Sequence, residues 1–175
     1  MSGLDSILDK AEQIDLSGDD IHKITNGVAK VMSYHELADL SDLSQIFSPQ
    51  GVCILLYETR LNYGHWVALI DQGDFVEFFD SYNFKPDEEL NYAKYNQTPY
   101  LSQLMQKSGR RFVYNDVRLQ VFAEDVNTCG RWTSIRVLMR NIPIRDFQQM
   151  FKRVKHYNGD LWVSALTYAF TFHDS

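Results

Sequence analysis

Apolar residues cluster most densely in the middle of the chain. Residues 51–58 (GVCILLYE) are apolar without a break from Val52 to Tyr57. A run this short, bounded by Pro49 and Gly51, predicts a buried strand. Two further runs, 65–70 (HWVALI) and 75–80 (FVEFFD), flank Asp71-Gln72-Gly73-Asp74. Paired apolar runs around a four-residue loop containing glycine predict a β-hairpin. Both faces of each strand are largely apolar, so the sheet is expected to be covered on both sides. Residues 111–114 offer another short strand.

Around this block the spacing turns helical. The first fifty residues predict short helices. Ser17 or Asp19 can cap one that stops at Asn26-Gly27, and Ser33 followed by Glu36 has capping-box spacing for a second. Residues 82–111 are irregular and polar, with a helical stretch at 101–107. From Cys129 onward Ile135, Leu138 and Met139 recur at helical spacing. Pro143 suits the first turn of a helix ending near His156, and a last amphipathic or buried segment covers 160–170. The prediction is one α+β domain over residues 1–175: a helical part at 1–50, a central block at 51–141 and C-terminal helices at 142–175.

Composition narrows the class. The chain has 175 residues, 45% hydrophobic and 14% aromatic, which supports one core and excludes a disordered or low-complexity scaffold. The longest apolar run is far below the ~20 residues of a membrane span, and the acidic N-terminus does not resemble a signal peptide. No membrane partner is expected. With only two cysteines, Cys53 and Cys129, a disulfide framework is excluded, and a reducing compartment follows rather than secretion. The net charge of -6 comes entirely from residues 1–50. Residues 107–160 carry eleven bases against five acids, a basic region that either meets a polyanion such as DNA or forms a solvated helical surface.

The usual phosphate, zinc and nucleophile-elbow signatures are absent, and His35-Glu36 lacks the second histidine of a zinc helix. What remains is Cys129, followed by Gly130, at a predicted helix start. There the unpaired backbone N–H groups and the positive dipole end favour thiolate, and the same N–H groups can bind an oxyanion. Gly130 would let a substrate backbone approach. A buried structural cysteine is the alternative. Symmetric closure of the hairpin makes Ile70 face Phe75 and His65 face Asp80, with Cβ atoms roughly 4.5–5.5 Å apart. A carboxylate there can fix the imidazole tautomer, so the chain offers a base, an orienting acid and a nucleophile. Trp66 either lines a substrate cleft or belongs to the core, since it points away from His65 in an ideal strand. Cys53 reads as a core residue, and His22, His35, His156 and His173 as surface or capping residues.

Gly64-His65-Trp66 opening a strand, Phe79-Asp80-Ser81 closing the next and Asn127-Thr128-Cys129-Gly130 opening a helix run in the order His, Asp, Cys. The papain-like order is Cys, His, Asn. This set, across residues 51–141, resembles the adenain and Ulp-type (clan CE) cysteine proteases. The segments GHW, FFDSYN and NTCGRW are most similar to capsid-maturation proteases of virophages and related large DNA viruses. The resemblance implies an α+β fold with a small central sheet flanked by helices, and hydrolysis of peptide bonds after small, Gly-rich sites in capsid precursors. It implies a virion or host-cell cytoplasm setting, and no metal or organic cofactor. Cys129 would attack, His65 would transfer the proton, Asp80 would orient His65, Trp66 would line the cleft and Gln120 would bind the oxyanion. Gln120 precedes Cys129 by nine residues, a longer gap than those proteases usually show. Asn127 therefore competes with Gln120 for the oxyanion, although its position also suits a helix cap. A disulfide-linked peptide activator is not expected, because the only spare thiol, Cys53, falls in a core strand. A ubiquitin-like-modifier protease, an acetyltransferase of the same His–acid–Cys order and a non-enzymatic capsid-associated module are the alternatives.

Overall fold

The predicted hairpin forms, in a shifted register, and gains neighbours on both sides. The structure is a computed structural model that describes residues 3–60, 63–93, 98–152 and 158–171. Strands β1 (Lys30–Ser33), β2 (Val52–Arg60), β3 (Tyr63–Asp71), β4 (Val76–Phe79) and β5 (Phe112–Tyr114) lie side by side in chain order. The inner pairs β2/β3 and β3/β4 are antiparallel, whereas β1 and β5 each join the edge in parallel. Among the described residues, six α-helices flank the sheet: α1 (Gly3–Glu12), α2 (Gly18–Ile24), α3 (Tyr100–Ser108), α4 (Cys129–Leu138), α5 (Ile144–Lys152) and α6 (Gly159–Thr171).

Local chemistry accounts for most of these limits. Ser17 caps α2 by accepting the Asp20 N–H, and Asp20 returns a bond to the Ser17 N–H at 3.0 Å. Left-handed Asn26 and Gly27 then end the helix. The Ser33–Glu36 pair also forms, at 2.7 Å, but it opens a short 3-10 helix over Tyr34–Asp39 rather than an α-helix. β1 is a correction to the expected all-helical N-terminal part. Its four residues are too few to show alternation, and β2 supplies the pairing that makes them a strand. The expected end of a helix near His156 lies outside the described residues.

Alternation along β2 and β3 sends side chains to two separate cores. Ile54, Leu56, Trp66, Ala68 and Ile70 pack under α2, α4, α5 and α6. Cys53, Leu55, Tyr57, Val67 and Leu69 pack under α3 and the 3-10 turns. The sheet is therefore covered on both faces, as its apolar strands require. Among the described residues, no helix is long and apolar enough to cross a membrane.

On the α4 face, Glu77 of β4 meets Arg136 in a fully buried bidentate pair at 2.7 and 2.8 Å. Arg136 also donates to the carbonyls of Met139 and Ile142, so most of its donors are satisfied. Arg131 is likewise buried and donates to Thr167 at 2.7 Å. Two of the bases expected on a partner-facing basic surface are thus inside the molecule, which corrects that part of the sequence reading. Glu77→Gln leaves a buried guanidinium without its anion. We expect a loss of about 3–5 kcal/mol in urea unfolding, whereas an apolar replacement of both residues costs far less.

Candidate active site

β3 enters the site through Gly64. A Cβ at this position would run into the Tyr57 carbonyl of β2, so only glycine permits the close crossing. A bulge between Glu58 and Arg60 twists the same end of the β2/β3 pair. His65 follows, 7% exposed, on the face shared with Tyr57 and Val67.

His65 and Asp80 meet, but not as direct cross-strand neighbours. The ladder pairs Asp71 with Val76 and ends at Ala68 with Phe79, a register two residues along from the symmetric closure expected. The turn explains it. The Asp71 carboxylate accepts the Gly73 N–H at 3.0 Å, Gly73 takes a left-handed φ of 86°, and Asp71 is thereby drawn into the ladder. A shift of two preserves the face of every side chain, so Asp80 lies diagonally from His65 and its Oδ1 still accepts from Nε2 at 2.8 Å. Beyond Phe79 the chain turns, with the Asn83 N–H donating to the Asp80 carbonyl. That turn lays the Tyr82 ring on the imidazole, with centroids 4.8 Å apart and planes 16° from parallel.

Asp80 is fully buried and held from several sides. Its Oδ1 also accepts the Tyr82 N–H at 2.8 Å. Its backbone is clamped by the Asn115 carboxamide, which accepts from the Asp80 N–H at 3.0 Å and donates to the Asp80 carbonyl at 2.7 Å. A second acid, Glu89, places Oε1 3.7 Å from His65 Nε2. Burial, partly offset by His65, raises the Glu89 pKa above the usual carboxylate range. For His65, burial opposes the cation, but Asp80 and the hydrogen-bonding Cys129 outweigh it and raise the imidazole pKa well above its ordinary value. His65, Asp80 and Glu89 carry donor atoms within 4.8 Å of one another, a spacing that could hold a metal ion. The hydrogen bond to Asp80 uses the same nitrogen, Nε2, which favours acid–base work.

Cys129 opens α4, 6% exposed, and lines the same cleft as His65. Gly130 and Trp66 do not line this cleft, which corrects their expected roles. Both face the α4 core. A Cβ on Gly130 would sit 3.1 Å from Leu16 and from Trp66, and the Trp66 indole donates to the Leu16 carbonyl at 3.0 Å. Gly130 thus serves the seating of the helix start. Asn127 is not the cap either. Thr128 occupies that position, while Asn127 binds the end of α1 through its N–H to the Glu12 carbonyl and its side chain to the Gln13 carbonyl.

Gln120 is 1% exposed and aimed by its neighbours. The Ser81 hydroxyl donates to Oε1 at 2.7 Å, which turns the amide nitrogen toward the Tyr82 hydroxyl at 3.1 Å and the Val126 carbonyl at 3.2 Å. Together with His65, Cys129, Asn127 and Glu89 it lines a cleft of about 260 Å³, whose rim carries Tyr63, Phe84, Tyr92 and Phe122. Asn115, Ser81, Tyr82 and Glu89 were not singled out from sequence. Only Ser81 and Tyr82, inside the FFDSYN segment, had any local signal.

No family model matches the chain. The uncharacterized protein V9 of Sputnik virophage is 34% identical over 146 residues, spanning 79% of this chain and 83% of V9. This chain belongs to the V9 family. Two crystal structures of ASFV pS273R protease, one of them selenomethionine-labelled, superpose with TM-scores of 0.52 and 0.53 at 13% and 14% identity. Each match covers 94% of this chain, and 70% and 71% of the protease. The α+β fold expected from the clan CE resemblance, a small sheet flanked by helices, is therefore the fold observed.

The two cysteines should separate chemically. Cys53 is fully buried, and burial pushes its thiol up to about 12. We expect iodoacetamide at neutral pH to modify Cys129 and to spare Cys53 until the chain unfolds. Mass spectrometry of the native protein reads the result, and equal labelling of both would contradict it. The α1 clamp should respond to pH. Burial, with repulsion from Asp160, Asp9 and Asp125, raises Glu12 from an ordinary 4.5 to about 7. Between these values the folded state binds the extra proton, so Glu12 lowers stability as pH rises. Glu12→Gln should raise the melting temperature clearly at pH 8 and little at pH 5.

Proposed function

We propose that this chain is a cysteine endopeptidase in which His65, Asp80, Gln120 and Cys129 form the catalytic set. The convergence of His65, Gln120 and Cys129 on one cleft, with buried Asp80 bonded to His65 behind it and within a fold shared with a viral protease, carries the reading. With Nε2 committed to Asp80, Nδ1 of His65 takes the Cys129 proton, and the sulfur attacks the scissile carbonyl. The oxyanion is bound by the Cys129 backbone N–H, unpaired at a helix start, and by the Gln120 amide, which gives up one of its two long bonds. Return of the proton from His65 releases the amine. Water then attacks the thioester, assisted by the same imidazole. Asp80 holds the ring and stabilises its cation throughout.

A nucleophile only 6% exposed, at the bottom of a small cleft, supports cleavage after residues with little or no side chain. Gly-rich sites of this kind in capsid precursors are the substrates we favour. Purified protein is to be offered Gly-Gly-X peptides, ubiquitin-like-modifier fusions and acetyl-coenzyme A in parallel. Cleavage of the peptides, abolished by Cys129→Ala, supports the reading. Turnover of acetyl-coenzyme A alone, or no turnover at all, overturns it.

The contributions of individual residues can be read from steady-state kinetics. Asp80→Asn should fold normally and lose about 10²-fold or more in kcat, the lower range for general-base catalysis. Gln120→Ala should lose about 10²–10³-fold, the cost of one oxyanion donor, with KM little changed. Asn127→Ala removes only the bond to Gln13, so it should cost about 1 kcal/mol of stability and spare most activity. If the kinetic loss falls on Asn127 instead, the two assignments exchange.

A further inference from the structure

Asp160, the second residue of α6, is fully buried, and its carboxylate bonds the residues that adjoin the two proposed oxyanion donors. Oδ2 accepts the Val121 N–H at 2.9 Å. Oδ1 accepts the Thr128 hydroxyl in a very short bond and the Trp132 indole N–H at 2.8 Å. Val121 directly follows Gln120, and Thr128 directly precedes Cys129. One carboxylate therefore fastens the segment carrying the glutamine donor to the segment carrying the nucleophile and its N–H. The preceding residue, Gly159, makes this reach feasible: a Cβ there would come 2.6 Å from the Trp132 ring.

Helix packing alone would not call for a carboxylate here. Burial raises the Asp160 pKa above the usual carboxylate range even though three hydrogen bonds pull it down, so the group is costly to keep. What it provides is two acceptor oxygens that serve three donors from two segments at once. An amide offers only one acceptor atom. We propose that Asp160 is a positioning residue that sets the separation between the Gln120 amide and the Cys129 N–H, and so tunes the oxyanion hole without touching substrate. This rests on the peptidase reading above.

The test uses the full chain, a Gly-Gly-X peptide substrate and a Gly-Gly peptide aldehyde, whose hemithioacetal oxygen occupies the oxyanion position. Asp160→Asn keeps an acceptor for Thr128 and Trp132 but gives Val121 an N–H₂ it cannot use. Thr128→Val breaks the tie on the Cys129 side with a nearly isosteric side chain, and serves alone if Asp160→Asn does not fold. Each should lower kcat/KM and aldehyde affinity in parallel by about tenfold or more, within the range expected for weakening one oxyanion donor. Alkylation of Cys129 by iodoacetamide, which develops no oxyanion, should stay within about twofold of wild type. In a Gln120→Ala background the Asp160 effect should vanish, since it acts through that glutamine. An equal loss in both backgrounds, a parallel fall in alkylation, or no loss in either variant overturns the proposal. A wild-type chain that neither cleaves the peptide nor binds the aldehyde overturns the peptidase reading, and this inference with it.

Discussion

Asn115 prolongs the sheet with a side chain. β4 ends at Phe79 and β5 at Tyr114, yet the Asn115 carboxamide pairs with the N–H and the carbonyl of Asp80 much as another strand residue would. This buried double bond holds residue 80 in place where the chain leaves the ladder and turns. The rest of the site is referred to that point. The Asp80 carboxylate meets His65, the Ser81 carbonyl accepts the N–H groups of Leu119 and Gln120, and the Ser81 hydroxyl fixes the Gln120 amide. Tyr82 then stacks on the imidazole. A single amide side chain thus transmits the rigidity of the sheet to an irregular loop.

His65, Asp80 and Cys129 were legible in the sequence because period-two strands and helix starts leave local marks. The symmetric hairpin closure was two residues out of register, but an even shift leaves side chains on the same faces, so the pairing survived the error. Gly130 was misplaced for the opposite reason, and Trp66 took the core position that strand alternation already offered it. The neighbourhood of Gly130 in sequence suggested the cleft, while helix seating turned it into the core beneath α4. Asn127 has the composition of a cap, but the end of α1 offers it better partners. Asn115, Glu89 and Asp160 left no local trace at all, since each acts on residues far away in the chain. β1 escaped because four residues carry no usable period.

The division of labour between the two sheet faces follows from where buried charge is affordable. On the α4 face Glu77 and Arg136 neutralise each other inside the core, next to Phe147. On the opposite face, at the open end of β3, the acids Asp80 and Glu89 surround a single imidazole. The first arrangement is electrostatically closed. The second is open: burial disfavours the imidazolium, while Asp80 and Cys129 favour it and raise the His65 pKa well above its ordinary value.

α6 gives the molecule a temporal property as well as a spatial one. The residues flanking Gln120 and Cys129 are fastened by a carboxylate from the last described helix, and α1 from the beginning of the chain packs against that same helix. A nascent polypeptide still held on the ribosome as far as Cys129 therefore has its thiol but not the scaffold around it. Contacts so distant in sequence form late in folding. The arrangement around the thiol is complete only when α6 docks and gathers α1.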